Sequence, residues 1–177
     1  MTEIVSEENP VLAQRAVEVL PQEIGSERIK NIIARMKVSL AGEPLGVAIA
    51  APQIGESLRI FIVSGKVFAQ RRGDPLAPEP DRIYINPEIL KISRKKKLMH
   101  EGCLSVRSEK ADTLIWGTVL RAEKIKIRAS DETGVIAEHS GSGFLAQVFQ
   151  HETDHLEGIL YTSKAEHVYE ERIQKTT

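Results

Sequence analysis

A length of 177 residues, with 41% hydrophobic and 28% charged residues, suits one soluble domain with a sizeable core. A net charge of −1 gives no electrostatic reason to expect nucleic acid or a membrane surface as partner, and no apolar run approaches the length of a bilayer span. A single cysteine rules out an internal disulfide and fits a reducing compartment. The acidic start, Met1 to Glu8, lacks the basic-then-apolar order of a secretory signal and is unlike a transit peptide. The cytoplasm is the expected location.

Residues 1–20 read as an N-terminal arm with a short helical or extended piece. Between Pro21 and Leu40, Ile29, Ile32, Ile33, Met36 and Leu40 recur at helical spacing, and Ser26 is placed to cap them. Ala41-Gly42-Glu43-Pro44 is a turn. The small residues of Gly46 to Gly55 fit either a tightly packed strand and turn or the wall of a cleft, in which Gln53 would offer an amide donor. Leu58 to Val63 is an apolar strand. Ser64 to Arg82, with Gly65, Gly73, Pro75, Pro78 and Pro80, reads as a long surface loop. Ile83 to Ile92 is strand-like, interrupted at Asn86-Pro87. The basic run Arg94 to Lys97 reads as a solvated edge or turn, not a nucleic-acid contact.

His100-Glu101-Gly102-Cys103-Leu104-Ser105 holds the only cysteine. Such a cysteine is an inert apolar residue, a nucleophile with a histidine base, or a thiolate metal ligand. Arg107 to Thr118 has no clear period and reads as an irregular loop. Val119 to Ala129 alternates as a half-buried strand, Asp131-Glu132-Thr133-Gly134 is a hairpin turn, and Val135 to Glu138 returns.

Ser140 to Gly143 reads as flexible, with Ser142 as a candidate cap for a helix of about four turns ending at Gly158. That helix carries His151-Glu152-Thr153-Asp154-His155. Two histidines four apart share one face and can chelate one metal ion, with Glu152 beside them to exchange protons with water. A third ligand is needed. A metzincin extension fails because Tyr161 stands at the required position, and Glu166, Glu170 and Glu171 lie in a charged stretch that reads as a solvated helix face. Cys103 would complete three protein ligands with a fourth position open. The expected fold is α+β, with short, mostly antiparallel strands around the central His-Glu-x-x-His helix. Residues 1–177 form one domain, and 163–177 are its charged C-terminal tail.

Three stretches together resemble the signature motifs of the peptide deformylase family. Glu101-Gly102-Cys103-Leu104-Ser105 and Gln150 through Gly158 match intact; Gly46-Val47-Ala48-Ile49-Ala50-Ala51-Pro52-Gln53 matches except that Ala48 stands at the family's second glycine. The resemblance implies a catalytic domain that removes the N-formyl group from the N-terminal methionine of newly synthesised polypeptides. Cys103, His151 and His155 would hold one divalent metal ion, Fe2+ in character with the family and with Zn2+ also binding. Glu152 would be the general base. Gln53 and the Leu104 backbone N–H would stabilise the oxyanion. The implied partners are an N-formylmethionyl peptide and, during translation, the ribosome. Gln150 and Asp154 are candidates to orient the ligands.

Phe144, Gln147 and Val148 lie seven, four and three residues before His151, so they share its face; with Val47 they would line a side-chain pocket. Gly46, Val47 and Ala48 would meet the peptide as an added strand. Arg107, Lys110, the extra residues of Asp112 to Gly117 and the Ser64 to Arg82 segment depart from the family's pattern around the cleft. Those departures keep alternatives in play: a relative acting on another N-acyl or formamide substrate, a metal-bearing homologue without turnover, and, further off, a metallopeptidase.

Overall fold

The computed structural model describes residues 4–73, 79–110 and 113–172. Its organising element is a five-stranded antiparallel sheet of order β1-β2-β3-β6-β7, formed by β1 (Ala48–Ala50), β2 (Ile60–Val63), β3 (Arg82–Ile92), β6 (Lys124–Ser130) and β7 (Ile136–Ser142). Side chains alternate across a strand, and here both faces are covered. Ile60 and Ile62 join Ile83 and Ile85 against Ile29, Ile32, Ile33 and Met36 of helix α1 (Glu27–Ala41). Phe61 and Val63 face the other way, against Leu145, Val148 and Phe149 of helix α3 (Phe144–Leu156). Burial on both sides explains why β2 reads as a continuous apolar run. Ser26 caps α1 as expected, its Oγ accepting from Ile29 N at 3.3 Å.

A second, three-stranded sheet of order β4-β5-β8 contains β4 (Lys96–Glu101), β5 (Thr113–Ala122) and β8 (His167–Arg172), all antiparallel. Several sequence expectations change here. Thr113 to Thr118 belongs to β5 and is no irregular loop; Asp112 lies outside the described residues. The run from Val119 to Ala129 is two strands in two sheets, divided at Glu123, whose N–H donates to Lys95 O at 3.0 Å. The charged stretch read as a helix face pairs as β8, with Trp116 opposite Tyr169. Residues 173–177 lie outside the described residues.

Ser64 does not open a loop. Its side chain accepts from Lys66 N and caps helix α2 (Gly65–Arg72), which buries Val67, Phe68 and Ala69; residues 74–78 lie outside the described residues. The interruption at Asn86 is a bulge with φ 50°, and its side-chain amide pairs with the backbone of Val19 (Nδ2 to O 2.7 Å, N to Oδ1 2.9 Å). The N-terminal arm is therefore docked: Leu12, Ala16 and Val19 are buried, and Ala16 N donates to Leu156 O at 2.9 Å. Gly158, at φ 72°, ends α3 where a Cβ would lie 2.8 Å from the Ala13 carbonyl carbon. Ser140 to Ser142 form strand, not a flexible lead, and the residue before α3 is Gly143 at φ 57°, so Ser142 is not the cap. Among the described residues no helix is long and apolar enough to cross a membrane.

Candidate active site

α3 presents His151 and His155 one turn apart, their rings 4.9 Å between centroids. Cys103 arrives from the end of β4, and its Sγ lies 3.3 Å from His155 Nε2. The ligating atoms of Cys103, His151 and His155 all fall within 4.8 Å of one another. Burial raises the Cys103 thiol pKa, but the two imidazoles outweigh it and hold the thiol well below its ordinary value. The His151 imidazole is lowered by burial and raised further by Cys103 and Glu101, ending well above its ordinary value. A thiolate and two imidazoles on converging vectors match a borderline divalent ion. The donor set therefore fits the metal that the motifs imply.

His151 is aimed from behind. Its Nδ1 lies 3.0 Å from Glu101 Oε2, which fixes the ring and turns Nε2 toward Cys103. Arg121 clamps Glu101 with two bonds (Nε to Oε1 2.6 Å, Nη2 to Oε2 2.8 Å) and reaches Asp154 Oδ2 with Nη1 at 2.6 Å. Lys164 Nζ holds the other Asp154 oxygen at 2.6 Å. Burial pushes the Glu101 carboxyl up, yet Arg121 and His151 bring it down to about 2. Gln150 ties α3 to β5 at Ala122, accepting from its N–H and donating to its carbonyl, both at 3.0 Å.

Asp154 and Gln150 were singled out from spacing; Arg121 was not. It sits in a stretch alternating cations with apolar residues, where an arginine reads as solvated, and nothing local distinguishes it from Lys124 or Arg128. The only available signal was two acidic residues, Glu101 and Asp154, flanking the ligands without a named counter-charge.

Glu152 is 4% exposed, its Oε2 has no hydrogen-bond partner among the described residues, and it lines the same cavity as Cys103. Burial raises its pKa to about 7, against the pull of His151 and His155. Gln53, 2% exposed, sits in the 3-10 turn after β1. Its Oε1 accepts from Ala50 N at 2.8 Å, which forces the Nε2 end toward Cys103 Sγ and Ser105 Oγ, each at 3.4 Å.

The cavity in front of these groups, about 310 Å³, is lined by Gly46, Val47, Ala48, Leu104, Phe144 and Val148 as well as by Gln53, Cys103, His151 and Glu152. The structure thus brings Gly46, Val47, Ala48, Phe144 and Val148 to the same cavity as Gln53, Cys103, Leu104, His151 and Glu152, whereas Gln150 and Asp154 lie behind it against β5. The Ala48 methyl is buried in the core cluster with Val148 and Ala146. Phe144 is 45% exposed and stands at the rim. Gln147, whose direction spacing left open, donates to His100 O at 2.6 Å and links α3 to β4. Ile115 and Trp116 of β5 close the far side, a wall with no counterpart in the sequence reading. Arg107 is drawn back against Leu104 O at 2.8 Å and Glu43 Oε1 at 2.6 Å, and Lys110 pairs with Glu170. Tyr161, where a metzincin would need histidine, packs against Gly117 and donates to Ile115 O at 3.0 Å.

A family model described as polypeptide deformylase matches residues 1–171. The chain is 39% identical over 171 residues to peptide deformylase 1A, chloroplastic/mitochondrial, of Arabidopsis thaliana, an alignment covering 93% of this chain and 61% of that protein. It is 38% identical over 157 residues to the peptide deformylase of Dictyoglomus turgidum, covering 89% and 88%. The chain spans about three fifths of the length of its plant relatives, and most of the bacterial one. Among solved structures, the actinonin-bound class I type b peptide deformylase from Acinetobacter baumannii superposes with a TM-score of 0.78 at 31% identity, covering 93% of this chain and 98% of that one. The same enzyme bound to Met-Ala-Ser gives 0.77 at 33% identity, covering 92% and 98%.

Proposed function

The chain belongs to the polypeptide deformylase family, and from that premise we propose that it hydrolyses the formyl amide of N-formylmethionyl peptides, releasing formate. The observation that carries the reading is the convergence of Cys103, His151 and His155 on one point beside a buried carboxylate, Glu152, and a side-chain amide, Gln53. A structural metal site needs neither of the last two groups.

Cys103, His151 and His155 would hold one divalent ion, Fe2+ by family character or Zn2+. Such an ion, when bound, acidifies water and polarises the formyl carbonyl. Glu152 accepts the proton of the attacking water and passes it to the amine of the departing methionine, so that no free base is needed. The Gln53 Nε2 and the Leu104 backbone N–H donate to the oxygen as it gains charge; Gln53 is already oriented by Ala50, so little reorganisation is required. β1 is an edge strand beside the cavity, and a peptide can pair with it from Gly46 to Ala48 while the methionine side chain enters between Val47, Phe144 and Val148. The Ala48 methyl is packed into the core, which supports a peptide groove of the family's kind. Ribosome-born chains would be the source of substrate, and a reducing cytoplasm, which protects Cys103 from oxidation, the setting. Both sheets contribute to one site, which supports reading the chain as a single catalytic domain.

The test is release of the free methionyl amine from N-formylmethionyl and N-acetylmethionyl tripeptides (with formate or acetate as the other product), and loss of peptide bonds from the free tripeptide, by protein loaded with Fe2+ without air. Turnover of the formyl peptide at least about a hundredfold above the acetyl peptide is expected, since one added methyl must be refused where formyl carries only hydrogen. Equal turnover of the two would move the assignment to a broader N-acyl hydrolase.

A further inference from the structure

A second concavity, about 420 Å³, lies among α2, β3, β7 and α3 and shares no lining residue with the cavity at Cys103. Its walls bring together Arg71 of α2, Arg82 and Tyr84 of β3, and Glu138 and His139 of β7. The Arg82 guanidinium carbon lies 3.8 Å from the centre of the Phe68 ring, a stacking that holds the fork in place. Among the described residues, neither Arg71 nor Arg82 has a carboxylate within ion-pair distance. The one lining carboxylate, Glu138, is offset by Lys126 at 2.8 Å.

At the floor stands Tyr84, 1% exposed, whose hydroxyl has no hydrogen-bond partner among the described residues. A buried phenol is ordinarily paired, because leaving it bare costs about 1–3 kcal/mol. Its ring cannot turn away to find water: it is wedged between Phe61 (4.7 Å), His139 (5.0 Å) and Phe149 (5.2 Å). Burial lifts its pKa to about 12 against the Arg82 charge, so it remains a neutral donor at physiological pH. Burial and then the Arg82 charge keep the His139 imidazole below its ordinary value, so it too offers a neutral ring N–H.

Two unpaired forked cations above a buried donor that lacks an acceptor have the chemistry of an oxyanion site. We propose that this cavity binds the phosphate group of a small molecule, Arg71 and Arg82 clamping its oxygens and the Tyr84 hydroxyl donating to it from below. Two guanidiniums match a dianion better than a monocarboxylate. The site is independent of deformylation.

The metal-loaded full chain is titrated with inorganic phosphate, adenosine monophosphate and adenosine, followed by calorimetry and by the His139 and tyrosine ring resonances. Saturable binding of phosphate or of the nucleotide with a Kd near or below about 1 mM is expected. It weakens about tenfold in Arg82→Gln and in Arg71→Gln, and a few-fold in Tyr84→Phe, which keeps the ring packing. Formate release stays unchanged in Arg71→Gln, whose side chain is exposed and remote from Cys103. Equal binding of phosphate and nucleotide assigns free phosphate as ligand, and binding of the nucleotide alone assigns an organic phosphate. The proposal is overturned by absence of saturation up to about 10 mM for both phosphates, by adenosine binding as tightly as its monophosphate, or by affinities that the three substitutions leave untouched.

Discussion

The two sheets of this protein are held in place by different forces. The five-stranded sheet lies between α1 and α3 and is secured by apolar burial on both faces, with Ile49, Ile60, Ile62, Phe61 and Ile85 fully enclosed. The three-stranded sheet has only a small buried apolar cluster, Val106, Val119 and Tyr161. It is fastened to α3 by directed polar links instead: Arg121 from Glu101 to Asp154, Gln150 to Ala122, and Gln147 to His100. Hydrophobic burial is strong but non-directional, whereas buried hydrogen-bonded charges set position to fractions of an ångström. Cys103 comes from the second sheet and His151 and His155 from the helix packed on the first, so the relative placement of the three depends on the polar links more than on the core.

Substitutions that separate the two forces test this contrast. Arg121→Met has the largest expected effect. It removes the guanidinium from the buried Glu101 carboxylate, which keeps only His151, while Asp154 keeps Lys164; a stability loss of about 3–5 kcal/mol by urea unfolding is expected. Metal affinity falls about ten- to a hundredfold, because the carboxylate that aims His151 loses its anchor. Retention of wild-type metal affinity in the folded variant would show that Glu101 does not need Arg121 to orient the ligand. Ile62→Val, within the large sheet, is expected to cost about 0.5–1.5 kcal/mol and to leave metal content and formate release per folded molecule unchanged.

The smallest effect is expected at Asp131, at the exposed tip of the β6–β7 hairpin, where Oδ1 accepts from the Thr133 hydroxyl and from the backbone N–H groups of Thr133 and Val135. The Thr133 hydroxyl leads in holding its pKa below the ordinary value. The folded pKa is depressed, so the contribution to stability is present above the unfolded value and is lost as pH falls through the folded one. An NMR titration of Asp131 with its midpoint below about 3.9 is the expected result, and Asp131→Ala should leave global unfolding nearly unmoved, since these bonds are exposed.

The site was more legible than the fold around it. α3 announced itself through apolar spacing and Gly158, and the two intact motifs named Cys103, His151, Glu152 and His155. α1 was legible because Ser26 and an isoleucine stripe agree. β5 and β8 were not. β8 pairs with a strand about fifty residues earlier and is largely exposed on both faces, and β5 begins with four half-buried positions in a row, so neither shows the alternation that marks a half-buried strand. α2 buries the consecutive residues Val67, Phe68 and Ala69 and has no helical stripe. Arg121 escaped because burial of an arginine is a property of the tertiary charges around it. Local sequence records periodicity and turn chemistry; it does not record which cation will meet which anion 20 or 33 residues away.

The central claim, that Cys103, His151 and His155 hold a metal for which Glu152 moves the proton, is tested most directly by one paired measurement on anaerobically prepared Glu152→Gln: metal content and formate release from an N-formylmethionyl peptide. Glutamine keeps the shape of the side chain and cannot accept the proton. The account predicts one bound divalent ion per chain and a fall in turnover of about 10²–10⁴-fold. Wild-type turnover in a fully metal-loaded Glu152→Gln protein would contradict it.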